Sequence, residues 1–255
     1  MDAGFFDSVT VEPIVLSTGM RLALPVRYRD WTAIMAHFPI SAPAVRAILP
    51  TDRLRPVELV PGTAILTLAA MEYRSIDDVE PYNELGVMVP VRYEPRINVP
   101  ALPLIAPERF ERFGLYVWHL PVTTQAAYEF GVEIWGYPKF IAEITFENGP
   151  VARRCRLRAD GMDILTLEVK HVPTTRRPID FHSYTVKDGQ LLRTRIEVQG
   201  DVGLARLPGG ASMVLGDHPI ARDLRRLRIG REPVQRLYAP RIQSMLHRAG
   251  ECFPL

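Results

Sequence analysis

A mostly β protein with a few peripheral helices, folded as one domain over residues 1–255, is what the sequence predicts. Three observations lead there. Twenty-three prolines cut the chain into short segments, more breaks than a helical protein tolerates. Between them lie short runs that alternate apolar and polar residues, or are apolar throughout, bounded by turn residues. No internal repeat, low-complexity tract or linker divides the chain. The number and spacing of these runs favour a closed barrel or a sandwich. Apolar residues at 47% and charged residues at 24% are ordinary globular values and exclude a disordered chain. The formal net charge of +2 argues against a polyanion-binding face.

Residues 11–28 predict two short strands around a Ser17-Thr18-Gly19 turn. Trp31–His37 is a strand. Ser41 can cap a short helix with Pro43 in its first turn and Pro50 as its stop. Thr63–Tyr73 is apolar, short and preceded by Pro-Gly, the mark of a strand buried on both faces. The acidic, turn-rich residues 75–86 lead to a strand at Val87–Tyr93, and the proline-rich 94–112 is an excursion. Leu115–Val122 is a strand and Thr123–Gly131 a helix that Gly131 ends. A strand over Phe140–Glu147 precedes two hairpins, around Ala159-Asp160-Gly161 and Lys187-Asp188-Gly189. Further strands fall at 191–202 and 210–215, and Tyr238–His247 reads as a closing helix.

Several function classes find no support. The sequence has no GxGxxG, P-loop, HExxH or GxSxG motif. Six histidines without ligand spacing give no metal site. Cys155 and Cys252 lie far apart and suit free thiols in a reducing compartment. The N-terminus lacks a basic region before an apolar run, and no apolar run is long enough to span a bilayer. A soluble, cytoplasmic protein is expected, with no nucleic acid or membrane partner. The arginine-rich Arg222–Arg236 lacks interleaved aromatics and reads as a solvated face or subunit contact.

One stretch stands apart. Of 31 basic residues only Lys139, Lys170 and Lys187 are lysines, yet Lys139 sits between Pro138 and Phe140 in the apolar, aromatic Gly131–Ala142. Arginine keeps its proton in a protein, whereas a desolvated lysine can lose it and become a nucleophile. The competing reading is a strand-start lysine whose ammonium snorkels to water.

Gly131, Glu133, Tyr137, Pro138 and Lys139 resemble the setting of the Schiff-base lysine in the acetoacetate decarboxylase family. Tyr82-Asn83-Glu84 followed by Pro90-Val91 is similar to the family's Tyr-x-Glu before a Pro-Val strand. Val45-Arg46 to Pro50, and His218-Pro219-Ile220-Ala221 with the later Ala239-Pro240-Arg241, extend the likeness over most of the chain. The resemblance implies a closed, cone-like antiparallel β-barrel with the Lys139 amine in an apolar interior, and a homo-oligomer. It implies a small keto acid as substrate, no cofactor, and covalent chemistry through an imine on Lys139. Glu84 is then the acidic residue that moves protons, and Arg29 meets the substrate carboxylate, with Arg27 nearly as good a match. Tyr82 and Tyr137 can offer hydroxyls to a substrate oxygen; Trp135, Tyr137 and Phe140 wall the pocket or fill core beside it. Glu133 fixes the turn before Lys139.

Two departures from the family pattern bear on chemistry. The archetype carries a second lysine directly after the nucleophile, where this chain has Phe140, so burial alone must free the amine of its proton. Where the archetype has a glutamate on the preceding strand, this chain has Ala69, with Glu72 nearby. Decarboxylation of a small β-keto acid such as acetoacetate is the leading expectation. Aldolase-dehydratase chemistry through the same imine is the alternative among enzymes, and a non-catalytic barrel holding an apolar carboxylate is the alternative outside them.

Overall fold

The computed structural model describes residues 3–7, 9–97, 99–206 and 208–255. The strands of the first half are β1 (Glu12–Val15), β2 (Arg21–Leu24), β3 (Val26–Ser41), β4 (Leu54–Pro56), β5 (Glu58–Val60), β6 (Thr63–Ile76), β7 (Tyr82–Tyr93) and β8 (Phe113–His119). Those of the second half are β9 (Glu143–Asn148), β10 (Ala152–Ala159), β11 (Met162–Lys170), β12 (Thr175–Lys187), β13 (Gln190–Ala205), β14 (Ala211–Leu215) and β15 (Gln235–Pro254). Among the described residues the α-helices are α1 (Ala42–Arg46), α2 (Leu102–Ile105), α3 (Gln125–Trp135) and α4 (Pro219–Arg226).

Strands β7, β8, β12, β13, β15, β3 and β6 pair in that order, and β6 pairs back to β7, closing a seven-stranded barrel. Strands β8 and β12 run parallel and the other ring pairings are antiparallel. A second sheet, in the order β14-β11-β10-β9, covers part of the outside. Period-two alternation therefore serves two cores. On β6, Leu66, Leu68 and Ala70 pack outward with Ile164, Leu165 and Leu167 of the second sheet. Ala69 and Tyr73 face inward, with Tyr28, Trp31, Val198 and Ile242. This is why Thr63–Tyr73 is apolar without a break.

The turn chemistry behaves as the sequence predicts. Asp160-Gly161 and Asp188-Gly189 both adopt positive φ and join β10 to β11 and β12 to β13 as two-residue hairpins. The Ser41 hydroxyl accepts from the Ala44 amide and Pro43 sits in the first turn of α1.

Several elements differ from the sequence reading. Strand β7 begins at Tyr82, inside the stretch read as turn-rich, and β9 begins at Glu143, not Phe140. Trp31–His37 is the middle of the sixteen-residue β3. Helix α3 runs through Gly131 and ends at Gly136, its left-handed cap. Tyr238–His247 is strand, part of β15. Register shifts between Ala239 and Ile242 and between Ile242 and Ser244 interrupt its pairing with β3. A bulge inserts an extra residue, so Ala239 and Ile242 face inward three apart and imitate a helical period. Among the described residues, no helix is long and apolar enough to cross a membrane.

Candidate active site

Lys139 and Glu84 meet because three extended segments lie side by side. Glu84 of β7 bridges to Val122, and Val122 bridges to Ile141. Hydrogen bonds from the Leu120 amide to the Pro138 carbonyl and from the Val122 amide to the Phe140 carbonyl hold the third segment in register. Helix α3 passes beneath and is capped where it must turn. Gly136 takes φ +64, and a Cβ there would lie 2.5 Å from the Val186 carbonyl oxygen. The Thr124 hydroxyl caps the other end of α3 by accepting from the Ala127 amide.

The Lys139 amine is enclosed. Its side chain is 2% exposed and that of Glu84 8%, with Nζ 2.8 Å from Glu84 Oε2. Nζ also donates to the Ala127 carbonyl at 3.1 Å. The ring centroids of Phe130, Tyr82 and Tyr137 lie 4.9, 5.5 and 5.8 Å from it. Gly131 makes this approach possible: a Cβ there would stand 2.4 Å from Lys139 Cε. The Tyr73 hydroxyl donates to Glu84 Oε1 at 3.3 Å, the Tyr28 and Tyr82 hydroxyls pair at 3.1 Å, and Tyr137 pairs with Ser183 at 2.8 Å. Burial, and then the charge of Glu84, pushes the Tyr73 phenol well above its ordinary range; burial likewise raises Tyr28, Tyr82 and Tyr137. These phenols keep their protons and remain hydrogen-bond donors.

The amine lies at one end of a cavity of about 410 Å³ inside the barrel. Its walls are chiefly aliphatic and thioether: Met35, Met71, Met88, Val117, Val198 and Leu237. Ala69 is part of the wall, whereas Glu72 turns outward to Arg153 at 2.6 Å. His37 stands in the wall with its Nδ1 2.8 Å from the Thr67 hydroxyl, and burial lowers its pKa to about 4.

Of the residues singled out from sequence, Lys139, Glu84, Tyr82 and Tyr137 come together here. Tyr82 stands against the amine without lining the cavity, and three others lie apart from it. Arg29 makes a two-pronged bond to Asp77, 2.8 Å on each prong, and lies over the Phe6 ring. Arg27 pairs with the same carboxylate at 2.7 Å. Tyr28 faces the interior, so its neighbours on either side face away; the carboxylate role expected of Arg29 therefore finds no support in its position. Trp135 is fully buried and donates its indole N–H to the His247 carbonyl. Phe140 packs on the outer core. Glu133 does not fix the turn before Lys139; it accepts from the Ser17 amide and hydroxyl, tying the β1–β2 turn to α3. The sequence reading missed Tyr28, Tyr73, Phe130 and Ser183. A two-residue step from Glu84 gives Tyr82, whose cross-strand partner is Tyr73, so that one was within reach.

A buried acid–amine pair at the end of an apolar chamber lined with phenol donors suits carbonyl chemistry: the amine can add, the carboxylate can move its proton, and the phenols can hold an oxygen. The family model for acetoacetate decarboxylase (ADC) matches residues 13–248. No curated protein matches. Among solved structures, the acetoacetate decarboxylase of Legionella pneumophila is similar at 17% identity and a TM-score of 0.62, over 89% of this chain and 86% of that one. The enduracididine biosynthesis enzyme MppR, complexed with the condensation product of pyruvate and imidazole 4-carboxaldehyde, is similar at 14% identity and a TM-score of 0.61, over 96% and 98%. An acetoacetate decarboxylase-like enzyme from Sphingomonas wittichii RW1 is similar at 14% identity and a TM-score of 0.54, over 95% and 98%. At these identities the likeness concerns the fold.

Proposed function

The chain belongs to the acetoacetate decarboxylase family, and from that membership we propose that it is a lyase that decarboxylates a β-keto acid through an imine on Lys139. The observation that carries this reading is the enclosed Lys139–Glu84 contact of 2.8 Å at the end of an apolar cavity.

Glu84 takes the proton of the Lys139 ammonium, and the freed amine adds to the substrate ketone. The same proton returns to the carbinolamine oxygen, which leaves as water, and a protonated imine remains. The bond to the carboxylate then breaks. Its electron pair moves into the new carbon–carbon double bond while the carbon–nitrogen π pair moves onto nitrogen, giving an enamine and carbon dioxide. Protonation of the enamine carbon and addition of water release the shortened ketone and Lys139. A dry chamber favours this sequence, because the carboxylate charge that water would stabilise is lost as the bond breaks. Tyr73 holds Glu84, and the hydroxyls of Tyr28 and Tyr137 are placed to hold substrate oxygens.

Incubation with acetoacetate and borohydride, followed by peptide mapping, tests the reading. A reduced adduct on Lys139 is the expected result, and an unmodified lysine with every keto acid tried overturns it in favour of a non-catalytic ligand-binding barrel. Aldolase-dehydratase chemistry is a second reading through the same imine. It draws on Ala69, which stands in the wall where the family archetype has a glutamate. Carbon dioxide release from β-keto acids, measured against condensation of pyruvate with an aldehyde, divides the two.

A further inference from the structure

The cavity is larger and greasier than a four-carbon acid requires. At roughly 30 Å³ per water-sized atom, acetoacetate would fill about half of its 410 Å³. Its two ends differ. The Lys139 end is closed by Tyr28, Tyr73 and Tyr137, all buried. At the other end Ile105, Arg177, Asp180 and Arg206 line the cavity and are exposed, which marks the mouth. Along β6, Met71 lies opposite Glu84 and Thr67 opposite His37. Four residues of strand separate these levels, or ~13 Å.

Between them the wall offers a hydrocarbon chain continuous apolar contact, with little for a polar group to bond. Met35 and Met88 can adapt to a flexible chain. Arg177 and Arg206 are the arginines of the lining, and both stand at the mouth. A substrate bound with its carbonyl at Lys139 has no arginine beside it.

We infer that the substrate is an unbranched β-keto acid of roughly eight to ten carbons in all, the volume that fills the cavity. Its ketone reaches Lys139, its carboxylate lies among the phenols of the closed end, and its chain runs past Ala69 and Met35 toward the mouth. This rests on the imine reading above, and deepens it by naming the acid.

Carbon dioxide release is to be measured for 3-oxobutanoate, 3-oxohexanoate, 3-oxooctanoate, 3-oxodecanoate and 3-oxododecanoate, with the aryl acid benzoylacetate beside them. The expected kcat/KM rises about fourfold per added CH₂ up to the eight- or ten-carbon acid and then falls. Ala69→Phe, which places a ring across the middle of the cavity, is expected to move the optimum to shorter acids. Fastest turnover of 3-oxobutanoate or benzoylacetate overturns the inference, as does an unchanged ranking in Ala69→Phe. Calorimetric binding of butyrate, octanoate and decanoate reads the cavity without the chemistry: affinity that climbs with length supports the chain site, and equal affinities overturn it. A chain-length trend in binding without any borohydride adduct would sink the imine reading alone. An adduct formed best with 3-oxobutanoate would sink the chain length alone.

Discussion

At the scale of single residues, the site depends on a lysine fitted against a helix that has been hollowed to receive it. Gly131 shows how tight the fit is, since its missing Cβ is the space Lys139 Cε and Nζ occupy. Gly131→Ala should lower the melting temperature by a few degrees, because overpacking against the enclosed lysine costs about 1–3 kcal/mol and outweighs the roughly 1 kcal/mol that alanine gains in a helix. The same variant should lower kcat by about 100-fold, because a displacement of about 1 Å at the reacting atom has that effect. Full activity in a folded Gly131→Ala protein would mean that the Lys139 position does not matter. Lys139→Arg keeps a cation beside Glu84 that cannot give up its proton. It should form no borohydride adduct and show no turnover while its circular dichroism stays native. Glu84→Gln keeps the shape and removes the proton acceptor, so loss of turnover should appear chiefly in kcat.

Among elements, bulges and the second sheet explain most of what the pattern of residues hid. The register shift near Asp30 sets Tyr28 and Trp31 three apart on the inner face of β3, and the arginines flanking Tyr28 face away from the interior. The same device made ten residues of β15 look helical. The second sheet is fastened to the barrel by more than apolar packing. Arg153, 3% exposed, reaches Glu72 and the Thr32 hydroxyl at 2.6 Å each. Arg153→Ala removes both bonds inside the seam and should cost about 3 kcal/mol. Calorimetry should then find the melting temperature roughly 8 °C lower. An unchanged melting temperature would show that the outer sheet is held by its apolar face alone.

For the molecule as a whole, stability should depend on acidity through histidines that the barrel keeps neutral. Burial lowers His37 and His119 to about 4 each. The unfolded chain takes up the same protons near pH 6.5. Between those values the unfolded state binds more protons, so stability is fully present above about pH 6.5 and is lost as pH falls toward about 4. Urea midpoints at intervals from pH 7 to pH 4.5 should fall accordingly, and the double variant His37→Gln, His119→Gln should flatten the slope. A slope indifferent to the two substitutions would assign the effect to other groups.

The sequence by itself determined the Lys139 and Glu84 candidates and the local turns. A lysine among arginines, set in a Tyr-Pro-Lys segment, and a Tyr-x-Glu on an earlier strand are local facts of residue type. Asp-Gly hairpins and a Ser-capped helix are equally local, because they follow from φ/ψ freedom and short-range hydrogen bonds. Only the tertiary structure decided which face each strand residue takes, since one inserted residue reverses inside and outside for everything beyond it. That choice sent Arg27 and Arg29 to Asp77, brought Tyr73 to Glu84 and Tyr28 to Tyr82, and left a long apolar cavity where the sequence suggested room for a small acid. Cavity volume is a property of the closed ring of strands, and no single segment of the chain encodes it.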